Sequence, residues 1–501
     1  MTECRTTDRA VLHTFLDETA RSRPHAPAVR DRTGRWSYSE FTRASDAAAD
    51  WLRGAGVGVG DRVVVRASPT RSTLALMYGC FRLGAVFVPL GTTATRHQLG
   101  HVLADARPAL FVTDEDAHLG WSSVPSRSLP EDAATWPATS PSPSHTAGAS
   151  GPEAARTALM LYTSGSTGLP KAVVCPHAAV SFAVSAIARC LRYRADDVVH
   201  SCLPLSFDYG LYQVFLSVSA GSELVLGDAS RGAALLADLR RSAATVVPLV
   251  PSLASMLLML ARRSPTPTSV RLFTNTGEHL SSGLAAELRE RFPGAGVQMM
   301  FGITECKRVA ILEVDGDLQR PGCVGRALPG TRVVVVDEAG RPLPAGETGE
   351  ITVRGPHLMA GYWDAPELTG HTYRTDPGSG ERVLHTGDFG RLDGEGYLYF
   401  EGRRDELFKR HGVRTSVTEI ETAAKAVDRV RAAAVVPPTG HRDAVLYVTG
   451  DVEPEAVLHG VRDLLGPART PSVCRVLESM PLGANGKVAR GALRGWEDPH
   501  Q

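Results

Sequence analysis

The sequence carries no excess of either charge. Lysine plus arginine and aspartate plus glutamate number 54 each, so the formal net charge is zero. A chain built around nucleic acid shows a basic excess or stripe, and none is visible, so nucleic acid is not an expected partner. Cysteine is sparse: eight residues run from Cys4 to Cys474 with no CxxC and no His/Cys cluster. That pattern argues against a structural zinc site and a disulfide framework, and suits a reducing cytosol. The opening "MTECRTTDRAVLHTF" has early acids and no apolar core, which argues against a signal peptide. Long hydrophobic runs are missing too. The most apolar stretch, "TVVPLVPSLASMLLMLA" (245–261), is broken by Pro248 and Pro251 and is short for a bilayer span. It reads as a buried strand followed by a core helix. These absences predict a cytoplasmic chain that engages no membrane. No internal repeat at a fixed period is visible.

What the chain does have is length and apolar content: 501 residues, 43% of them hydrophobic, enough for a large core and more than one domain. Through the first three hundred residues short apolar runs alternate with helical patterns. Residues 61–68, 109–115, 222–228 and 270–277 read as strands, and 71–86 and 281–292 as helices. That alternation predicts an α/β fold with a parallel sheet covered on both faces. From about 331 to 400 strand-period runs with Gly/Pro turns suggest a small β-rich subdomain. A last segment, with helix and strand signals of its own, predicts a small mobile α+β domain. The expected division is 1–404 and 405–501, with the junction in "GRRDELFKR" (402–410). The Pro/Ser/Ala-rich stretch 137–154 reads as an exposed loop without chemistry.

Three stretches carry chemistry. In "LMLYTSGSTGLPKAVV" (159–174) a strand leads into Thr163, Ser164, Gly165, Ser166, Thr167 and Gly168, then Pro170 and Lys171, then another strand-like run. Glycines and hydroxyls in a tight turn present N–H and O–H donors to an anion, as phosphate loops do. A Walker loop needs Gly-Lys-Ser/Thr opening a helix, and that is absent, which disfavours a GTPase-like or ATPase-like motor. "HTGDFGRLDGEGYLYFEGRRDELFKR" (385–410) joins Asp388, Arg403 and Asp405 across glycine-rich turns, and "PLGANGKVAR" (481–490) places Lys487 after an Asn-Gly turn. A further stretch, "FGITECKRVA" (301–310), sets Glu305 just ahead of Lys307 and Arg308. The acid and the two cations either neutralise one another on a solvated loop, or the acid holds a metal while the cations hold an anion.

In order and spacing these stretches resemble the adenylate-forming superfamily: acyl-CoA synthetases, luciferases, stand-alone ligases and peptide-synthetase adenylation domains. The resemblance covers about residues 10 to 490. It implies an enzyme that makes an acyl-AMP from a carboxylate, ATP and Mg²⁺, then passes the acyl group to a nucleophile. It implies that the loop from Thr163 to Lys171 cradles the β- and γ-phosphates and that Phe301 stacks on adenine. Thr304 would bond the α-phosphate, and Glu305 would hold Mg²⁺, a hard cation that prefers carboxylate oxygen. By the same resemblance Asp388, assisted by Arg403, takes the ribose hydroxyls, and Gly277 and Glu278 line the nucleotide. Lys487 reaches the developing charge on carboxylate and phosphate, and Asp405 is the hinge of the small domain. The sequence departs from the common pattern in "FGITE", with Phe and Ile where Tyr and Pro are usual, and in Arg414-Thr415-Ser416 on the hinge side.

"LPLSFDYGLYQVFLSV" (203–218) corresponds to the acyl-pocket segment of that family. There an aspartate at the Asp208 position pairs with the substrate's ammonium group, a sensible counter-ion for a buried carboxylate. The alternative is that Asp208 caps the helix starting at Tyr209 or Gly210. Tyr209 and Tyr212, one helical turn apart, would limit pocket depth, with Thr276 and Met300 also lining it. Lys307 and Arg308 would sit at the far wall and hold a second anionic or polar group, or else contact acids and carbonyls within the fold. The resemblance thus implies an amino acid, β-amino or polar, loaded onto the thiol of a free-standing carrier protein; only fourteen residues follow Lys487, too few for a fused carrier domain. The alternative is an acyl-CoA ligase or amide bond synthetase acting on an aryl or aliphatic acid.

Overall fold

The computed structural model describes residues 11–114, 124–130, 153–164, 170–264, 267–403, 407–410, 413–438, 443–483 and 488–495. Six parallel strands form one part of the larger, 14-stranded sheet, in the order Pro27–Arg30, Glu223–Leu226, Val198–Ser201, Val246–Leu249, Leu272–Asn275 and Gly296–Phe301. Their side chains are mostly buried, as expected of strands covered on both faces. The stretch 245–261 divides as its prolines demand: the strand ends at Leu249, and Pro251 opens the helix Pro251–Arg263 at a position where its missing N–H costs nothing. A second sheet runs Gly361–Tyr362, Pro170–Pro176, Thr157–Ser164, Val86–Leu90, Arg62–Arg66, Leu110–Thr113 and Ser126–Ser128. The helices Arg71–Leu83, His177–Leu191 and Asp208–Ala220 share one core cluster with strands of both sheets.

The β-rich region is hydrogen bonded into the first sheet rather than standing apart. Antiparallel strands Ala310–Ile311, Cys323–Ala327, Leu398–Arg403, Arg382–Leu392, Gly349–Arg354 and Arg332–Val336 extend that sheet from Phe301 outward. The C-terminal part is a small α+β unit with its own core. Strands Val430–Val436, Val445–Gly450 and Val473–Leu477 pack against helices Val417–Lys425 and Pro454–Leu465. No helix among the described residues is long and apolar enough to cross a membrane.

Three histidines are buried where a charge would be costly. The Leu12 amide donates to Nδ1 of His177 at 3.3 Å, and burial pulls the imidazole down to about 3. Burial likewise lowers His200 and His357 to about 4 each. An unfolded histidine titrates near pH 6.5, so the neutral rings stabilise the fold fully above that pH. As pH falls from about 6.5 toward 4 the unfolded chain takes up protons that the fold refuses, and stability drops. Each tenfold difference in proton affinity between folded and unfolded chain is worth about 1.4 kcal/mol, so the loss reaches several kcal/mol. Chemical denaturation at pH 7.5, 6, 5 and 4 should show this slope; a flat profile down to pH 4 would contradict the burial of these rings.

Candidate active site

Three of the stretches that gather chemistry follow the carboxyl end of a parallel strand, where open α/β sheets bind ligands. The strand Val198–Ser201 leads toward Asp208, Leu272–Asn275 into Thr276, Gly277 and Glu278, and Gly296–Phe301 into the Glu305 turn. The fold thus brings the "FGITE" stretch and the acyl-pocket segment together.

The strands Thr157–Ser164 and Pro170–Pro176 form an antiparallel hairpin in which Thr163 faces Lys171 and Ser164 faces Pro170. Lys171 therefore begins a strand rather than a helix, which is incompatible with a Walker loop. Gly165, Ser166, Thr167 and Gly168 lie outside the described residues, as does the Ser164 side chain.

The stretch from Phe301 to Ala310 is a tight reversal: Met300 pairs with Ile311 and Phe301 with Ala310. A side chain at Gly302 would put its Cβ 2.1 Å from the Lys307 carbonyl, so only glycine fits there. The chain turns back through Lys307, whose φ of 70° is left-handed for a non-glycine residue. This geometry separates the charges. The half-buried Glu305 accepts a hydrogen bond from the Tyr362 hydroxyl at 2.7 Å, while its carbonyl accepts from Tyr373 at 3.0 Å and from the Met359 amide at 2.9 Å. Tyr362 comes from Gly361–Tyr362, the strand paired to Pro170–Pro176 at Val173 and Val174. The Phe301 ring packs on Phe400 with centroids 5.0 Å apart, and Thr304 is half-buried.

Lys307 and Arg308 turn inward and are 0% and 3% exposed. Two of the sequence readings meet the structure here. First, Arg308 contacts an acid and a carbonyl within the fold, as one of the two alternatives had it: its Nη1 lies 3.4 Å from Asp208 Oδ2, so Asp208 already has a cationic partner. Second, Asp208 does not cap its helix; Phe207 stands at the N-cap without a side-chain cap, and Asp208 is the first helical residue. Arg308 also donates to the Lys307 carbonyl at 2.6 Å, and its guanidinium lies 5.2 Å from the centre of the Tyr209 ring. Tyr209 is fully buried and its hydroxyl pairs with Thr274 at 2.7 Å. Tyr212 is fully buried as well, and burial holds its hydroxyl well above the usual phenol range. Among the described residues, the buried Tyr212 hydroxyl and Nε of Arg308 have no hydrogen-bond partner, and neither does the buried Thr276 hydroxyl. Met300 is also buried.

Asp388 and Arg403 face each other across neighbouring strands, with Nε 3.4 Å from Oδ1; Asp388 is buried and Arg403 exposed. Glu278 is half-buried beside Gly277, whose φ is 87°. Asp405 and Lys487 lie outside the described residues, although Leu482 and Val488 bridge on either side of Lys487. Tyr362, Tyr373 and Cys175 were not singled out from the sequence. The only local hint was the "GYW" triplet at 361–363, which lies 57 residues from its acid.

The description of AMP-binding enzymes matches residues 16–363, more than half the chain. AMB antimetabolite synthetase AmbB of Pseudomonas aeruginosa is 31% identical over 97% of this chain, which spans only 39% of AmbB. VinN, solved alone and with L-aspartate, is similar at 41% and 40% identity with TM-scores of 0.71 and 0.69, covering 78% of this chain and 98% of VinN. ATP-bound MatB from Rhodopseudomonas palustris is 27% identical with a TM-score of 0.85, covering 98% of this chain and 99% of MatB. The chain belongs to the AMP-binding enzyme family of the adenylate-forming superfamily.

Proposed function

We propose that this chain is an AMP-forming ligase that activates an amino acid bearing a second charged or strongly polar group, β-amino or dicarboxylic, and passes it to the thiol of a free-standing carrier protein. The observation that carries the reading is the buried cluster of one carboxylate and two cations, Asp208, Lys307 and Arg308, in which Nε of Arg308 has no hydrogen-bond partner among the described residues. Such a cluster is expensive in an apolar pocket and fits a ligand with charges of both signs. The similarity to VinN, solved with L-aspartate and with 3-methylaspartate, supports the same class. On binding, the substrate ammonium takes Asp208 and the second anionic group takes Lys307 and Arg308, so the Asp208–Arg308 pair opens.

The remaining roles follow the family resemblance. The stem from Thr163 to Lys171 carries the loop for the outer phosphates, Phe301 packs on adenine, and Thr304 binds the α-phosphate. Asp388 accepts the ribose hydroxyls beside Arg403, with Gly277 and Glu278 along the nucleotide. Lys487 approaches the reacting carboxylate and α-phosphate, where charge builds up in the transition state. We assign the large domain to 1–404 and the small domain to 405–501, with Asp405 as the hinge. Glu305 suits Mg²⁺: it is a half-buried hard-oxygen donor steadied by Tyr362. That matches an ion held by one carboxylate plus substrate phosphates, which would screen the charge of the triphosphate.

A second reading, an acyl-CoA ligase or amide bond synthetase for aryl or aliphatic acids, rests on the same ion pair. If Arg308 stays on Asp208, no substrate amine is required. ATP–pyrophosphate exchange against α-amino, β-amino, dicarboxylic, aryl and aliphatic acids separates the two. Asp208→Ala should depress exchange with amino acids far more than with their des-amino analogues. Equal losses on both would leave the enzyme as an activator of simple carboxylic acids.

A further inference from the structure

Lys307 is fully buried, yet among the described residues no carboxylate stands within ion-pair distance of its ammonium. It donates instead to Cys175 Sγ at 3.4 Å, across 132 residues of sequence. Cys175 is also fully buried, and its own S–H donates to the Val173 carbonyl at 3.4 Å. Burial pushes the thiol up, against the opposing pull of Lys307, so at neutral pH the partner is a thiol rather than a thiolate. A buried ammonium is ordinarily matched by an acid. Here it meets a polarisable, uncharged sulfur, a weak acceptor that sets direction without cancelling charge.

The sulfur is held firmly. Its strand, Pro170–Pro176, pairs with Thr157–Ser164 on one side, where Cys175 faces Leu159, and with Gly361–Tyr362 on the other. The lysine's own backbone sits in the left-handed region, with φ 70°. The fully buried Tyr212 feels the charges of Asp208 and Arg308 as well as Cys175, so the thiol lies in the same electrostatic neighbourhood as that ion pair.

We infer that Cys175 is a positioning residue: it aims the Lys307 ammonium at the second anionic group of the substrate and leaves its charge free to bind that group. This rests on the proposed reading of Lys307 as a substrate contact. An acid at the same place would hold the lysine equally well but would saturate it.

The test uses the full chain in pyrophosphate exchange with L-aspartate and with β-alanine, which is aspartate without its α-carboxylate. The readout is the ratio of kcat/KM for the two acids, alongside KM for ATP. Lys307→Met should cut that ratio by about a hundredfold, the scale of a lost hydrogen-bonded charge contact. Cys175→Ala, and Cys175→Val, which fills the space without an acceptor, should each cut it by about tenfold through the KM for aspartate, with KM for ATP unchanged. Cys175→Ser, which restores a neutral acceptor, should return the ratio to within about twofold of wild type. If Lys307→Met collapses the ratio while Cys175→Ala and Cys175→Val leave it intact, whatever their melting temperatures, the positioning role is overturned and Cys175 only fills space. If Lys307→Met itself leaves the ratio intact, or wild type takes neither acid, the proposed substrate class fails first.

Discussion

Lys487→Ala is expected to slow acyl-adenylate formation by two to three decades while leaving the melting temperature within about a degree of wild type. The loss of rate corresponds to removing one preorganised charge contact in the transition state, about 3–4 kcal/mol. The small thermal effect follows from the flanking residues. Of Leu482 and Val488, which bridge on either side of position 487, Leu482 is exposed and Val488 is only partly buried, at the edge of the small cluster of Ala434, Val436, Tyr447 and Leu493. A substitution away from a buried cluster removes little packing. Pyrophosphate exchange and a thermal melt on the same preparation check both halves. Exchange at the wild-type rate would remove this lysine from the catalytic machinery.

Arg308→Ala should be costly in two separable ways. Asp208 and Arg308 are 7% and 3% exposed, so deleting the guanidinium strands a carboxylate in the interior. Breaking one side of a buried pair costs on the order of 3–5 kcal/mol, and the melting temperature should fall accordingly. Removing Asp208 as well, in the double Arg308→Ala/Asp208→Ala variant, takes away the stranded charge and should recover part of that stability. Selectivity should not recover with it. Both variants should lose affinity for dicarboxylic amino acids, with KM for ATP unchanged. An Arg308→Ala protein as stable as wild type would show that the pair contributes nothing in solution. Discrimination equal to wild type would mean that Arg308 serves the fold alone.

The parts of the molecule that could be read from the sequence are those with a local signature. Alternating apolar and helical runs foretold the parallel strands, and Pro248 and Pro251 foretold the break between the strand and helix of 246–263. The strand after Lys171 was visible in "AVVCP", because β-branched residues suit a pleated surface. The contacts around Asp208, Glu305 and Lys307 left no such signature. Asp208 and Arg308 lie 100 residues apart, Cys175 and Lys307 132, Glu305 and Tyr362 57. Each pair meets because two strand ends and a helix start converge, which no spacing along the chain encodes. The alternative reading of Asp208 as a cap had only a local basis. Its residue type and its place before an apolar helix both favour a cap, but a cation waiting in the interior drew its carboxylate inward.

The left-handed backbone at Lys307 bears on how this pocket could change over generations or in a library. A lysine there gives up about 1–2 kcal/mol that glycine would not, and asparagine would lose less. Selection for folding alone would therefore let position 307 drift toward those two residues. Retaining a long cationic side chain at a site the backbone would rather leave bare is a sign of purpose beyond packing. In a randomised pool sorted only for thermal resistance, glycine and asparagine should accumulate at 307. In a pool sorted for activation of the natural acid, lysine should return.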